Sequence, residues 1–165
     1  MAYKLEKLTV LVIEDSVPML EVVANALKYL GVGNVLQARG GEAGYAMFVR
    51  ERPDIIITDW EMDDVDGLEL IRWIRNNLDS PKRTVPVIIM TGYAAASRVS
   101  AARDHGVTEF LVKPFTASEL ARRLTYVIEH PRDFVETEQF FGPDRRRRAA
   151  MDYQGPEKRG DDEYV

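Results

Sequence analysis

The chain has no cysteine, only two histidines, and a net charge of -5 spread over 165 residues. Without cysteine there can be neither a disulfide framework nor a thiolate metal site, and a cytoplasmic location is expected. A net negative charge argues against tight non-specific binding to nucleic acid, which needs a basic surface to neutralise phosphates. No apolar stretch approaches the roughly 18 residues of a membrane span. The opening segment Met1-Ala2-Tyr3-Lys4-Leu5-Glu6-Lys7 also lacks the apolar core of a secretion signal. The chain is therefore expected to be neither exported nor membrane-spanning. Its length and 45% hydrophobic content suit one core, that is, one domain with an appendage.

What the chain does have is a set of short apolar runs, each ending on a polar residue of a different chemical kind. Leu8 to Ile13 runs into Glu14-Asp15, Asp54 to Thr58 into Asp59, Val85 to Met90 into Thr91, and Val107 to Val112 into Lys113. Apolar, β-branched runs separated by helix-length segments read as buried parallel strands, and in open α/β sheets ligands sit beyond the carboxyl ends of the strands. All four endings should meet at one edge. Three carboxylates crowded there repel one another unless a hard divalent cation neutralises them, and Mg²⁺ prefers a few protein oxygens together with water and phosphate. A hydroxyl and an ammonium complete a set suited to a phosphoryl group.

Helical patterns lie between the strands. Pro18 can open a helix that continues to Leu30, with apolar residues at 19, 20, 23, 27 and 30 and Gly31 or Gly33 beyond it. Residues 35–38 read as a second strand, and residues 41–51 as a helix stopped by Pro53. Further helices are expected over 67–78, 95–105 and 116–130, the last opened by the capping-box pair Thr116 and Glu119. His105 and His130 fall near helix C-termini, where a cation favours the dipole, so both read as structural. The chain is thus expected to receive phosphate and not to donate it from a histidine of its own.

Taken in order, these residues resemble the receiver domain of two-component response regulators, the CheY-like family. The likeness extends to Asp59-Trp60-Glu61-Met62 followed by Asp66-Gly67-Leu68-Glu69-Leu70, to Thr91-Gly92, and to Lys113-Pro114-Phe115. It covers residues 7–130, and residues 131–165 lie outside it as a C-terminal extension. The resemblance implies a doubly wound α/β fold of flavodoxin type, with a five-stranded parallel sheet in the order 2-1-3-4-5. It implies Asp59 as phosphoacceptor, with Mg²⁺ held by Glu14, Asp15, Asp59 and the main-chain carbonyl of Glu61. Lys113 would pair with Asp59 and then with a phosphoryl oxygen, and Thr91 would donate its hydroxyl to another. Thr91 and Phe110 would form the switch, and the Lys113-Pro114 bond would be cis. The family more often has Asp at position 14. It usually has proline after the methionine, whereas Met62 here precedes Asp63-Asp64, which leaves either a mobile loop or a second cation site. Phe110 replaces a frequent tyrosine, so its two positions would differ by burial alone.

The function implied is that of a single-domain response regulator with no DNA-binding or enzymatic output domain. It would be phosphorylated by a sensor histidine kinase or histidine phosphotransferase and would bind a downstream protein through the face of the fourth helix, fifth strand and fifth helix. Arg98, Arg103, Arg122 and Arg123 are candidates for that face. The protein would not be an enzyme, although it would promote its own phosphorylation and dephosphorylation. Two alternatives stay open: a phosphate sink or shuttle, and a phosphorylation-independent interaction module. The extension mixes charge with glycine and proline and is expected to be mostly disordered or a docking arm. It also places Phe134, Phe140 and Phe141 near Arg145, Arg146, Arg147 and Arg148. Either the aromatics fold back on the receiver, or the set binds a protein or an anionic ligand. In composition it is similar to the arginine-rich extensions by which some receivers bind cyclic di-GMP.

Overall fold

The computed structural model describes residues 5–92 and 96–144. The elements alternate as β1 (Thr9–Ile13), α1 (Val17–Leu30), β2 (Asn34–Ala38), α2 (Gly41–Glu51), β3 (Ile55–Asp59), α3 (Gly67–Asn76), β4 (Val87–Thr91), α4 (Ala96–Asp104), β5 (Glu109–Val112) and α5 (Ala117–Glu129). The five strands pair in parallel in the order β2-β1-β3-β4-β5, as the resemblance to receivers implied.

Side-chain alternation along the strands divides the core in two. Leu11, Ile13, Ile56, Val87 and Ile89 join Phe48 of α2 and Leu70, Ile71 and Ile74 of α3 on one face of the sheet. Val10, Val12, Ile55, Ile57, Ile88 and Met90 join Leu20, Val23 and Leu27 of α1 and Leu120, Leu124 and Val127 of α5 on the other. Because both faces are covered, the central strands are apolar along most of their length, and their charged residues appear only where a strand leaves the sheet. Register then decides which endings meet: Ile13 lies beside Thr58, Asp59 beside Met90, and Thr91 beside Val112.

The helix ends follow the local chemistry. Ser16 caps α1 by accepting from Met19 N at 3.4 Å, and Asp66 caps α3 by accepting from Glu69 N at 2.9 Å. The capping box of Thr116 and Glu119 is complete. His105 and His130 set Nδ1 against the carbonyls of Ala101 and Tyr126 at 2.8 and 3.1 Å, the structural placement expected at helix C-termini.

Of the two readings of the extension, the aromatics folding back on the receiver is the one found for residues 131–144. Residues 134–136 and 141–143 form an antiparallel hairpin, β6 (Phe134–Glu136) and β7 (Phe141–Pro143), seated against α3 and the turn that enters β5. The physical reason is a buried arginine. Arg75, fully buried near the end of α3, has no carboxylate partner among its hydrogen bonds. Its guanidinium donates to the carbonyls of Arg83, Val85 and Gly106 at 2.7 to 3.0 Å and to Thr108 Oγ1 at 3.4 Å. Burial pushes its pKa down to about 9. The hairpin covers this group. Phe134 lies 5.0 Å from the Arg75 guanidinium, Phe141 lies 3.8 Å from that of Arg83, and the two rings are 5.5 Å apart. A Cβ on Gly142 would stand 3.0 Å from Gly106 Cα, so glycine at both positions permits the close seating. Arg83 Nε also donates to Arg75 O, and Arg132 donates to the carbonyls of Asp144 and Thr108. Residues Arg145 to Arg148 lie outside the described residues.

Truncation after His130 should therefore destabilise the protein, by on the order of 2 kcal/mol for two partly buried rings with cation–π contacts. Urea unfolding of residues 1–130 against the full chain measures this. An unchanged midpoint would mean that the hairpin contributes nothing to the fold.

Candidate functional site

β1, β3, β4 and β5 end side by side, and the residues that close them form one pocket. Asp59 is the centre of it. Its Oδ1 accepts from the Lys113 ammonium at 2.9 Å and from its neighbour's amide, Trp60 N, also at 2.9 Å. Lys113 Nζ lies 3.5 Å from Glu14 Oε1 as well, so one cation bridges two strand ends. The Lys113-Pro114 bond is cis. Glu14 Oε2 accepts from Ser16 N at 3.1 Å, and Asp15 Oδ2 accepts from Asp63 N at 3.0 Å. Glu14, Asp15 and Asp59 each offer a carboxylate oxygen within 4.8 Å of the others. Thr91 is buried at the end of β4, and among the described residues nothing lies within 4 Å of a Cβ built on Gly92. Phe110 is partly buried against the α2/α3 side of the core.

The electrostatics follow from burial and crowding. Burial raises the Glu14 pKa, and the Asp59 charge adds to it, outweighing Ser16 N–H and Lys113. Burial alone would lower the Lys113 pKa, but the hydrogen bond and charge of Asp59, with Glu14, raise it. Three acids thus face one ammonium: the pocket carries an excess of negative charge on hard oxygen donors, which is the donor set a divalent cation such as Mg²⁺ prefers.

The response regulator receiver domain family model matches residues 10–125. The chain belongs to that family. Chemotaxis protein CheY1 of Helicobacter pylori is 34% identical to this receiver over 119 residues, covering 72% of the chain and 94% of CheY1. Chemotaxis protein CheY-3 of Vibrio cholerae is 31% identical over 124 residues, covering 75% of the chain and 94% of CheY-3. Among solved structures, Vibrio cholerae CheY4 superposes with a TM-score of 0.68 at 27% identity, covering 73% of the chain and 98% of CheY4. Receivers of this kind serve two-component signalling and bind Mg²⁺ at an acidic pocket, and the cluster of Glu14, Asp15 and Asp59 lies where such a pocket belongs. Among the described residues, no helix is long and apolar enough to cross a membrane.

Three features of the receiver were not legible beforehand. Arg98, expected on an interaction face, instead lies with its guanidinium 4.0 Å from the Trp60 ring and 3.8 Å from the Glu61 carboxylate. Its side chain is only 25% exposed, packed over the large ring that follows Asp59. Arg123 pairs with Glu109 at 3.5 Å. Asp64, expected in a mobile or cation-binding loop, accepts from Gly41 N and Glu42 N at 3.0 Å each and so caps α2 from another part of the chain. Burial would raise the Asp64 pKa, but these amides and that of Val65 hold it below the ordinary carboxylate value. The cap residue adjacent in sequence, Gly40, has no side chain to do this, which is the one signal that a distant acceptor was needed.

The raised Glu14 pKa has a definite consequence for stability. An acid whose folded pKa exceeds its ordinary value, here 4.5, costs stability as pH rises from that value through the folded pKa, and costs nothing below it. Glu14→Gln removes the charge. Without divalent cations it should therefore unfold at higher urea than the wild type at about pH 7, with the difference vanishing as pH falls below the ordinary glutamate value. A variant less stable at neutral pH would show that the Lys113 contact outweighs burial and crowding.

Proposed function

We propose that this receiver accepts a phosphoryl group on Asp59 from the phosphohistidine of a sensor histidine kinase or histidine phosphotransferase, in a Mg²⁺-dependent reaction in the cytoplasm. The observation that carries the reading is the 2.9 Å contact of Lys113 with Asp59 inside a three-carboxylate pocket on one sheet edge. An oxygen of the Asp59 carboxylate bonds to phosphorus as the phosphorus–nitrogen bond of the donor breaks, and the donor ring, already protonated by solvent on its other nitrogen, leaves as neutral imidazole. Glu14, Asp15, Asp59 and the main-chain carbonyl of Glu61 would hold Mg²⁺, whose charge offsets that gathering on the phosphoryl oxygens. Lys113 pairs with one of those oxygens as a point charge, and the Thr91 hydroxyl donates to another.

The protein is not an enzyme acting on a separate substrate. It promotes its own phosphorylation and the hydrolysis of the acyl phosphate. Movement of Thr91 toward the phosphoryl group frees space for Phe110, and the surface of α4, β5 and α5 changes so as to select a partner protein. The partly buried state of Phe110 supports this, since neither full burial nor full exposure holds the ring in place.

Acetyl phosphate with Mg²⁺ should add one phosphoryl group to the wild type and none to Asp59→Asn, as read by intact-protein mass spectrometry. Equal labelling of the two proteins would exclude Asp59 as the acceptor. In a Trp73→Phe background, where Trp60 is the single tryptophan, fluorescence reports cation binding next to the site. Asp15→Ala should weaken Mg²⁺ by at least tenfold, about what losing a charged ligand costs. Asp63→Ala should cost far less, because Asp63 meets Asp15 through its amide and keeps that amide when truncated.

A further inference from the structure

The loop from Trp60 to Val65 leaves the phosphoacceptor and arches over the pocket toward α3. In this chain it carries two acids in succession after Met62, and the structure uses them in different ways. Asp63 donates its amide to Asp15 Oδ2 at 3.0 Å. Asp64 turns away from the pocket and clasps the start of α2 with both carboxylate oxygens, Oδ1 on Gly41 N and Oδ2 on Glu42 N, each at 3.0 Å. The approach is close enough to require glycine opposite. A Cβ on Gly40 would stand 3.0 Å from Asp64 Oδ2, and one on Gly41 would stand 2.6 Å from Val65 O and 2.7 Å from Val65 Cβ.

We infer that Asp64 is a positioning residue for the metal pocket: by fastening the loop to the N-terminus of α2, it holds the Asp63 amide against Asp15, one of the three clustered acids. The inference rests on the metal-site reading above and adds to it the residue that sets the loop's position. An anionic clasp suits this place, since the first amides of a helix lack internal partners and its dipole favours negative charge. The same clasp explains why two acids can follow Met62 without either entering the pocket: one is turned outward by its bonds, and the other is engaged through its backbone. Residues that orient ligands without touching the cation commonly change metal affinity by 10- to 100-fold when removed.

The test uses the full chain and Mg²⁺ alone, read by Trp60 fluorescence in the Trp73→Phe background, with amide hydrogen exchange as a second readout. Asp64→Ala should weaken Mg²⁺ about tenfold, and it should speed exchange at Gly41 and Glu42. Asp64→Asn keeps one acceptor oxygen and should recover part of the affinity. Gly41→Ala leaves the Asp64 carboxylate in place but forces the loop off α2, and it should weaken Mg²⁺ to a similar degree. It serves if Asp64→Ala does not fold. Wild-type binding with both Asp64→Ala and Gly41→Ala within twofold of it would overturn the role of Asp64 alone. A wild type with no response to Mg²⁺ would overturn the metal-site reading and this inference with it, while the exchange at Gly41 and Glu42 would still report whether the clasp exists.

Discussion

Three carboxylates held at the ends of buried strands, with one ammonium among them, are the constraint from which the rest of the site follows. Glu14 and Asp59 are almost fully buried, and both meet Lys113. Charges so placed are costly unless paired or solvated, and here pairing is incomplete: the end of β1 contributes two acids and that of β3 one, against the single ammonium beyond β5. The raised pKa of Glu14 is the sign of that imbalance. It leaves the folded protein with a pocket that gains from a divalent cation and from a group able to engage Lys113, which is the chemistry a phosphoryl group with Mg²⁺ supplies.

The neighbourhood is built so that this imbalance does not relax by collapse. Asp59 cannot turn away from Lys113 without losing the Trp60 amide, and Trp60 is covered by Arg98. Asp15 is engaged by the amide of Asp63, and the next residue fastens the same loop to α2. The strand ends are fixed by a sheet whose two faces are filled by separate apolar clusters, so no strand can slide without moving both. A pocket that carries unfavourable charge is stable because its walls have nowhere to go.

At the opposite pole the fold meets the same problem in reverse. Arg75 is a cation in the interior with carbonyls and a hydroxyl for partners, and its lowered pKa follows from burial. The C-terminal hairpin, beyond the residues matched to the receiver family, closes over it with two phenylalanines and draws Arg83 into the contact. Gly142 against Gly106 ties this hairpin to the turn between α4 and β5. The extension is thus continuous with the elements whose outer face is proposed to meet a partner.

The sequence by itself determined the strand runs and the polar residues that close them, and the resemblance to receivers supplied the strand order. Apolar runs of strand length ended on Glu14-Asp15, Asp59, Thr91 and Lys113, and a parallel sheet must bring such endings to one edge. The start of α5 was legible for a local reason, since Thr116 bonds to the amide three residues onward, whereas the caps at Ser16 and Asp66 came from the structure. What only the tertiary structure decided are the contacts between segments distant in the chain. Asp64 caps a helix 23 residues earlier, Arg98 covers Trp60, and Arg75 and Arg83 draw Phe134 and Phe141 onto the receiver. A charged residue in a one-dimensional pattern reads as solvated, because its partners are neither adjacent nor periodic. Only folding brings an amide, a ring or a carbonyl within reach and turns that residue inward.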